Sequence, residues 1–192
     1  MQDEELTKKY NSLYLEIIMR YKDEIEKGET VYVADLPKLV TPSDEAVVAV
    51  IKNITGSFPA YNFDENFLAA AQQAREYLKD KIISVSPPIQ FWLKPNQVIS
   101  LQAGDAFDKV ILLCSMLIAL GNPSTKIVTS IKENERKHLV YFEYKGELTY
   151  IDLENGMNKV NSKEELFEKL GMKKEAEMIA YEFNDKMYSN LL

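Results

Sequence analysis

Over the first 25 positions apolar residues recur at three- and four-residue steps: Leu6, Tyr10, Leu13, Ile17, Tyr21 and Ile25. Glu and Lys fill the other positions. The spacing predicts an amphipathic helix over residues 3–27, ended by Gly28. Its stripe requires cover, by default from the chain's own core and otherwise from a second chain. Thr41-Pro42-Ser43-Asp44 joins a capping residue to a Pro suited to a first turn and predicts a short helix from Ala46 to Ile54. Gly56 and Pro59 break the pattern over 55–64, and Phe67, Ala70, Ala71, Ala74, Tyr77 and Leu78 restore it as a helix over 65–81. Ser86-Pro87-Pro88 forces an extended stretch. From Val110 to Leu120 only Ser115 interrupts an apolar run, which predicts a buried helix far short of the ~20 residues that cross a bilayer. Residues 125–132 and 137–153 alternate as strands do. Ser162-Lys163-Glu164-Glu165 has capping-box spacing, so a helix is expected from there to Gly171, and residues 172–190 read as a final helix. The class is α+β, with helices dominating.

Composition narrows the functions. Among 192 residues, 23 Lys and Arg face 30 Asp and Glu, a net charge of −7 with no basic run. Such a chain is poorly suited to nucleic acid or to an anionic membrane. The single Cys114 excludes an intrachain disulfide, and no Cys/His cluster has metal-ligand spacing, so neither metal nor cofactor is implied. Met1-Gln2-Asp3-Glu4-Glu5 is acidic where a signal peptide is basic, which predicts a cytoplasmic protein. With 46% hydrophobic residues the chain can build one domain over 1–192.

The chemistry concentrates around Gly104-Asp105-Ala106-Phe107-Asp108-Lys109 and the apolar helix behind it. Asp105 suits the N-cap and Asp108 the third helical position, and capping alone accounts for both. His138, the only histidine, lies in a strand pattern, and Asp152 lies in the next. A three-residue loop at Tyr144-Lys145-Gly146 would pair Phe142 with Leu148, Val140 with Tyr150 and His138 with Asp152. A two-residue turn would put His138 and Asp152 on opposite faces. His facing Asp is either an ordinary cross-strand polar pair or the base and orienter of a triad. The third member of a triad would be a nucleophile at the helix N-terminus, the position of Ala106.

These residues resemble the transglutaminase-like superfamily, whose core is related to the papain-like cysteine proteases. The family shows an aromatic-Trp-x-x-Pro stretch, then Gly-Asp-Cys-x-Asp-Lys, an apolar helix ending Ala-Leu-Gly, and strands bearing a His and an Asp. This chain has Phe91-Trp92-Leu93-Lys94-Pro95, Gly104 to Lys109, Ala119-Leu120-Gly121, His138 and Tyr150-Ile151-Asp152. The resemblance implies a papain/transglutaminase-like core at 65–155, a buried central helix on a small antiparallel sheet. A helical extension at 1–60 and C-terminal helices at 162–190 would flank it. It places Trp92 near the groove's oxyanion region, the alternative being a simple core Trp, and the family's catalytic cysteine on Ala106, whose methyl cannot attack a carbonyl. Val140 and Leu153 stand where the family often has an aromatic and a Pro. Cys114 is no substitute: two turns along the helix, ~12 Å away, its apolar neighbours mark it as a buried, inert thiol.

Three functions follow. The first is a catalytically inactive member that keeps the groove as a surface for an unidentified peptide or protein. The second is an active cysteine protease, amidase or acyltransferase represented by a Cys-to-Ala variant. Its thiol at position 106 would attack an amide, with His138 shuttling the proton and Asp152 orienting it. The third is a structural protein whose terminal helices pair with another chain.

Overall fold

The computed structural model describes residues 2–22, 33–86, 91–133, 135–171 and 178–191. In chain order these form helix α1 (Gln2–Arg20), a 3-10 segment (Val33–Leu39), and helices α2 (Glu45–Thr55) and α3 (Phe63–Lys81). Strand β1 (Ile83–Ser84), helix α4 (Pro95–Leu101), strand β2 (Ala103–Gly104) and helix α5 (Ala106–Ala119) follow. Next come strands β3 (Lys126–Lys132), β4 (Glu135–Tyr144), β5 (Glu147–Asp152) and β6 (Gly156–Val160), helix α6 (Lys163–Lys169), and strands β7 (Met178–Phe183) and β8 (Tyr188–Asn190). The fold mixes helices with an antiparallel sheet of order β6-β5-β4-β3-β7-β8, while β1 and β2 form a separate parallel pair. No helix among the described residues is long and apolar enough to cross a membrane.

Helix α5 is buried at every position from Phe107 to Leu117. A helix apolar all round must be enclosed on all sides. One side lies on the sheet's inner face, where Ile127, Val140, Phe142, Ile151 and Phe183 point, and Val47, Ile51, Phe67, Ala71 and Val98 of α2, α3 and α4 join the same core. Each fully buried aliphatic or Phe side chain contributes about 1.5–3 kcal/mol. The sheet's outer face carries a smaller core, Val128, Tyr141, Val160 and Ala180 against Leu166 and Leu170 at and just beyond α6.

The stripe of α1 is covered by this chain's own core: Ile17 and Tyr21 are buried in it, and Tyr10, Leu13 and Tyr14 pack against it. Ile25, Gly28 and the side chain of Leu6 lie outside the described residues. The α2 cap is Asp44, which accepts from Ala46 N at 2.9 Å. Thr41, placed as a capping residue from the sequence, instead donates its backbone N–H to Ser115 Oγ at 3.0 Å. Ser115 in turn donates to Ile111 O, so the one polar break in the apolar run ties α5 to the segment ahead of α2. Pro87 and Pro88 lie outside the described residues.

Two expectations are corrected. The β4–β5 hairpin closes through a two-residue turn, Lys145-Gly146, both at positive φ (52° and 76°). Its pairs are Tyr144 with Glu147, Glu143 with Leu148, Phe142 with Thr149, Tyr141 with Tyr150 and Val140 with Ile151. A type I′ turn matches the right-handed twist of the strands, and Gly146 adopts its conformation without strain. The aromatic cluster selects this register. Phe142 and Tyr144 point inward onto Phe67, with centroids 5.1 and 5.2 Å away, leaving Thr149 rather than Leu148 on the core side. The second correction concerns the C-terminus. Where a helix was expected over 172–190, residues 178–190 form β7 and β8, while 172–177 lie outside the described residues. Lys and Glu around Ala176 favour a helix locally, but Ile179, Tyr181 and Phe183 alternate. Pairing with β3 buries Ala180 through Phe183, and tertiary packing overrides propensity.

Strand β7 also brings a charge into the sheet. Glu182 is buried, accepting from Lys126 Nζ at 2.8 Å, from Lys163 Nζ at 3.3 Å and from the Tyr141 hydroxyl. Burial alone would raise its pKa, but the bonds from Lys126 and Tyr141 and the two ammonium charges outweigh it and hold the carboxyl below its usual range. A depressed folded pKa confers stability above the unfolded value of ~4.3, lost as pH falls through the folded value. Glu182→Gln is expected to cost about 2 kcal/mol near neutrality, part of the buried-pair penalty being relieved because both lysines reach solvent. Urea unfolding of both proteins at pH 7 and pH 3 checks this. The gap between them should narrow at pH 3, and an unchanged gap would show that the charge contributes nothing.

Candidate functional site

The N-terminus of α5 is closed by two carboxylates acting reciprocally. Asp105 Oδ1 accepts from Asp108 N at 2.8 Å, and Asp108 Oδ2 accepts from Asp105 N at 3.0 Å, an all-aspartate capping box. The other oxygen of Asp108 accepts from Leu93 N at 2.8 Å and fastens the Trp92-Leu93 segment to the helix end. Position 104 is tight: a Cβ added there would lie 3.1 Å from Asp108 Cβ and 3.3 Å from Val98 Cγ1, so a larger residue would need both side chains to give by a few tenths of an ångström. Burial, then the charge of Asp105, push the Asp108 carboxyl above its usual range. Burial likewise raises Asp105.

The helix opens onto a cleft of about 960 Å³ whose lining includes Ala106, His138 and Asp152. Ala106 stands exposed at the first helical position. His138 shares the inner face of β4 with Val140 and lies opposite Thr129 of β3. Its Nδ1 and Thr129 Oγ1 share a hydrogen bond of 3.0 Å, and its ring packs on Phe107 at 4.9 Å. Burial first, then the charge of Arg136, lower its pKa from 6.5 to about 4, so the ring is neutral at physiological pH.

Asp152 is committed elsewhere. In the observed register its carboxylate does not face His138 across the hairpin. It accepts from Glu154 N at 2.8 Å, from Asn155 N at 3.0 Å and from Asn155 Nδ2 at 3.0 Å, organising the turn after β5. Arg75, buried on α3, supports the same turn through bonds to the carbonyls of Asp152 (3.1 Å) and Glu154 (2.7 Å). Burial opposes ionisation of Asp152, but these bonds and the Arg75 charge keep its pKa below the usual range. The orienting partner of the histidine is thus a threonine from the neighbouring strand. Trp92 is not in the cleft wall. It packs on Phe107 at 5.5 Å and reaches His138 only through that ring. Cys114 is fully buried, which pushes its thiol pKa well up. Among the described residues no group of three or more His, Cys, Asp or Glu side chains is placed to hold a metal.

Sequence reasoning missed Arg75 and Thr129. Arg75 is the one charge inside the apolar stripe Ala71, Ala74, Leu78, a visible signal. Thr129 emerges only from strand pairing.

No family model matches the sequence, and no curated protein matches it. Solved structures of LapG from Legionella pneumophila share the fold, at 15% identity over 84% of this chain and 88% of that one, with a TM-score of 0.52. The EGTA-treated form gives 15% identity, 84% and 87% coverage and a TM-score of 0.51. The calcium-bound form aligns over 75% of this chain and 87% of its own, at 14% identity and a TM-score of 0.46.

Two measurements probe the geometry. Asp108→Ala strands the N–H groups of Leu93 and Asp105 and is expected to cost about 2–4 kcal/mol. It should also shift the emission of Trp92, the only tryptophan. Lost stability with unchanged emission would show that the Leu93 bond does not position that segment. The single histidine permits an unambiguous NMR titration. His138 should stay neutral well below pH 6.5, and Arg136→Gln should raise its pKa. A value at or above 6.5 would indicate a carboxylate partner that this geometry lacks.

Proposed function

We propose that the chain is a transglutaminase-like protein of papain-like arrangement that lacks cysteine-type catalysis and uses the remnant cleft to hold a peptide or protein partner. The observation that carries this reading is the exposed methyl of Ala106 at the mouth of α5, beside His138 in one cleft. A helix N-terminus and a neutral imidazole are the surroundings a nucleophilic thiol needs, and here they surround a group with no lone pair to donate. The motif resemblance together with a fold shared with LapG supports the superfamily. The carboxylate expected to steady an imidazolium is spent on a turn, which supports loss of catalysis beyond position 106. One hydrophobic core running from Ile17 to Phe183 supports a single domain over 1–192, and the cytoplasmic location read from the N-terminus belongs to the same proposal.

Ala106→Cys tests the catalytic half, with the parent, whose only thiol is buried, as the silent control. The introduced thiol, whose pKa the positive end of α5 should lower from the ordinary ~8.5, should hydrolyse no peptide. Peptide hydrolysis would overturn inactivity. It would favour the alternative, an active cysteine protease, amidase or acyltransferase represented by its alanine variant. Ala106→Phe tests the binding half by filling the cleft mouth. It should abolish binding of a labelled pool of extended peptides, and undiminished binding would place the partner elsewhere.

A further inference from the structure

The cleft differs in charge from the chain around it. Its wall carries Lys79, Lys109, Arg136, Lys137 and Lys169, in a protein of net charge −7. Against them stand Asp152, whose carboxylate is occupied by the turn, Glu154, and Glu165, which pairs with Lys169 at 3.8 Å. Lys109 is the telling member. It lies on α5 one turn beyond Ala106, is only 8% exposed, and spans to β1, where its Nζ donates to Ser84 Oγ at 2.7 Å. Among the described residues no carboxylate pairs with it. A buried ammonium has three donors and is costly to desolvate without a counter-charge, and burial lowers its pKa accordingly. The positive end of the α5 dipole points into the same space.

The second observation concerns β4. It pairs with β3 from Glu135 to Tyr141, but its pairing with β5 begins only at Val140. Over residues 135–139 no strand covers that second edge among the described residues, and 136–139 line the cleft. An open edge of this kind accepts an extended chain as an added strand, main-chain bonds supplying affinity and alternate side chains specificity.

We propose that the cleft binds an extended acidic peptide segment along the free edge of β4, with one side-chain carboxylate seated on the Lys109 ammonium. The proposal rests on the peptide-binding reading of the groove and adds the chemistry of its ligand. Lys109 completes its bonding only when the segment is present, and the surrounding cations draw acidic segments toward a chain that elsewhere repels them.

The test uses two fluorescent, end-capped octapeptide pools with mixed apolar residues at alternate positions, one with Glu and its twin with Gln between them. Capping both ends leaves the side chains as the only carboxylates. The Glu pool should bind the protein at least about tenfold more tightly than the Gln pool. Lys109→Met should remove that advantage while leaving the Gln pool unaffected. Equal binding of both pools would overturn the role of Lys109 and leave the groove reading standing. Failure of both pools to bind would overturn that reading together with this one. The comparison of pools on the unaltered protein needs no variant and decides the acidic preference. If Lys109→Met folds poorly, Ser84→Ala, which leaves the ammonium in place, should keep the Glu advantage, and its loss would overturn the seat on Lys109.

Discussion

The reciprocal pair Asp105 and Asp108 sets the position of everything around the cleft. A helix as apolar as α5 has no surface preference of its own to fix where along the chain it begins. Its first turn is set by the two carboxylates, each accepting the backbone N–H of the other. Because Asp108 also holds Leu93 N, the same bonds decide where Trp92 packs, hence where Phe107 lies, and Phe107 supports the ring of His138. Gly104 adds to the constraint, since a side chain there would press on Asp108. The closeness of the two carboxyls has a cost: burial, and for Asp108 the charge of Asp105, raise their pKa values, while amide donors at the positive end of the helix oppose that rise.

Placement of His138 follows from the sheet rather than from its hairpin. Thr129 on the central strand β3 supplies the bond to Nδ1. With no carboxylate bonded to the ring among the described residues, desolvation and Arg136 lower its pKa. Asp152, paired with Gly156 across the tight turn into β6, serves the backbone instead. Arg75 reaches that turn from α3 and ties the helical layer to the end of β5. A residue that would orient an imidazole in one arrangement thus secures a chain reversal in this one, because one register of the hairpin points it away.

Much of this was legible in the sequence where the governing interaction is local. The Asp105/Asp108 cap, the helix through Phe67 and Leu78, the buried run to Leu117 and the Ser162 cap each depend on residues within a few positions of one another. The hairpin register and the C-terminal strands depend on distant partners. Thr149 faces inward because Phe67, far earlier in the chain, packs against Phe142 and Tyr144, and residues 178–183 are extended because β3 offers them an edge. The candidate site divides in the same way. Ala106 and the two aspartates could be placed from a motif, whereas the occupation of Asp152 and the bond to Thr129 required the folded sheet.

Charge distribution carries the synthesis one step further. Glu182 shows how this fold treats a buried charge that serves stability alone. Two ammonium groups and a phenol surround it, and its ionised form is favoured. Lys109 is also buried and has one hydroxyl. Within a single chain the two groups form an internal comparison: desolvation is offset by two counter-charges at one and, among the described residues, by a single neutral hydroxyl at the other. A folded protein can retain an uncompensated buried cation where a counter-charge arrives from outside. Lys109 shares a helix face with the exposed Ala106 and lines the cleft, so its charge, unmatched by any carboxylate among the described residues, lies where a carboxylate on a bound segment can reach it.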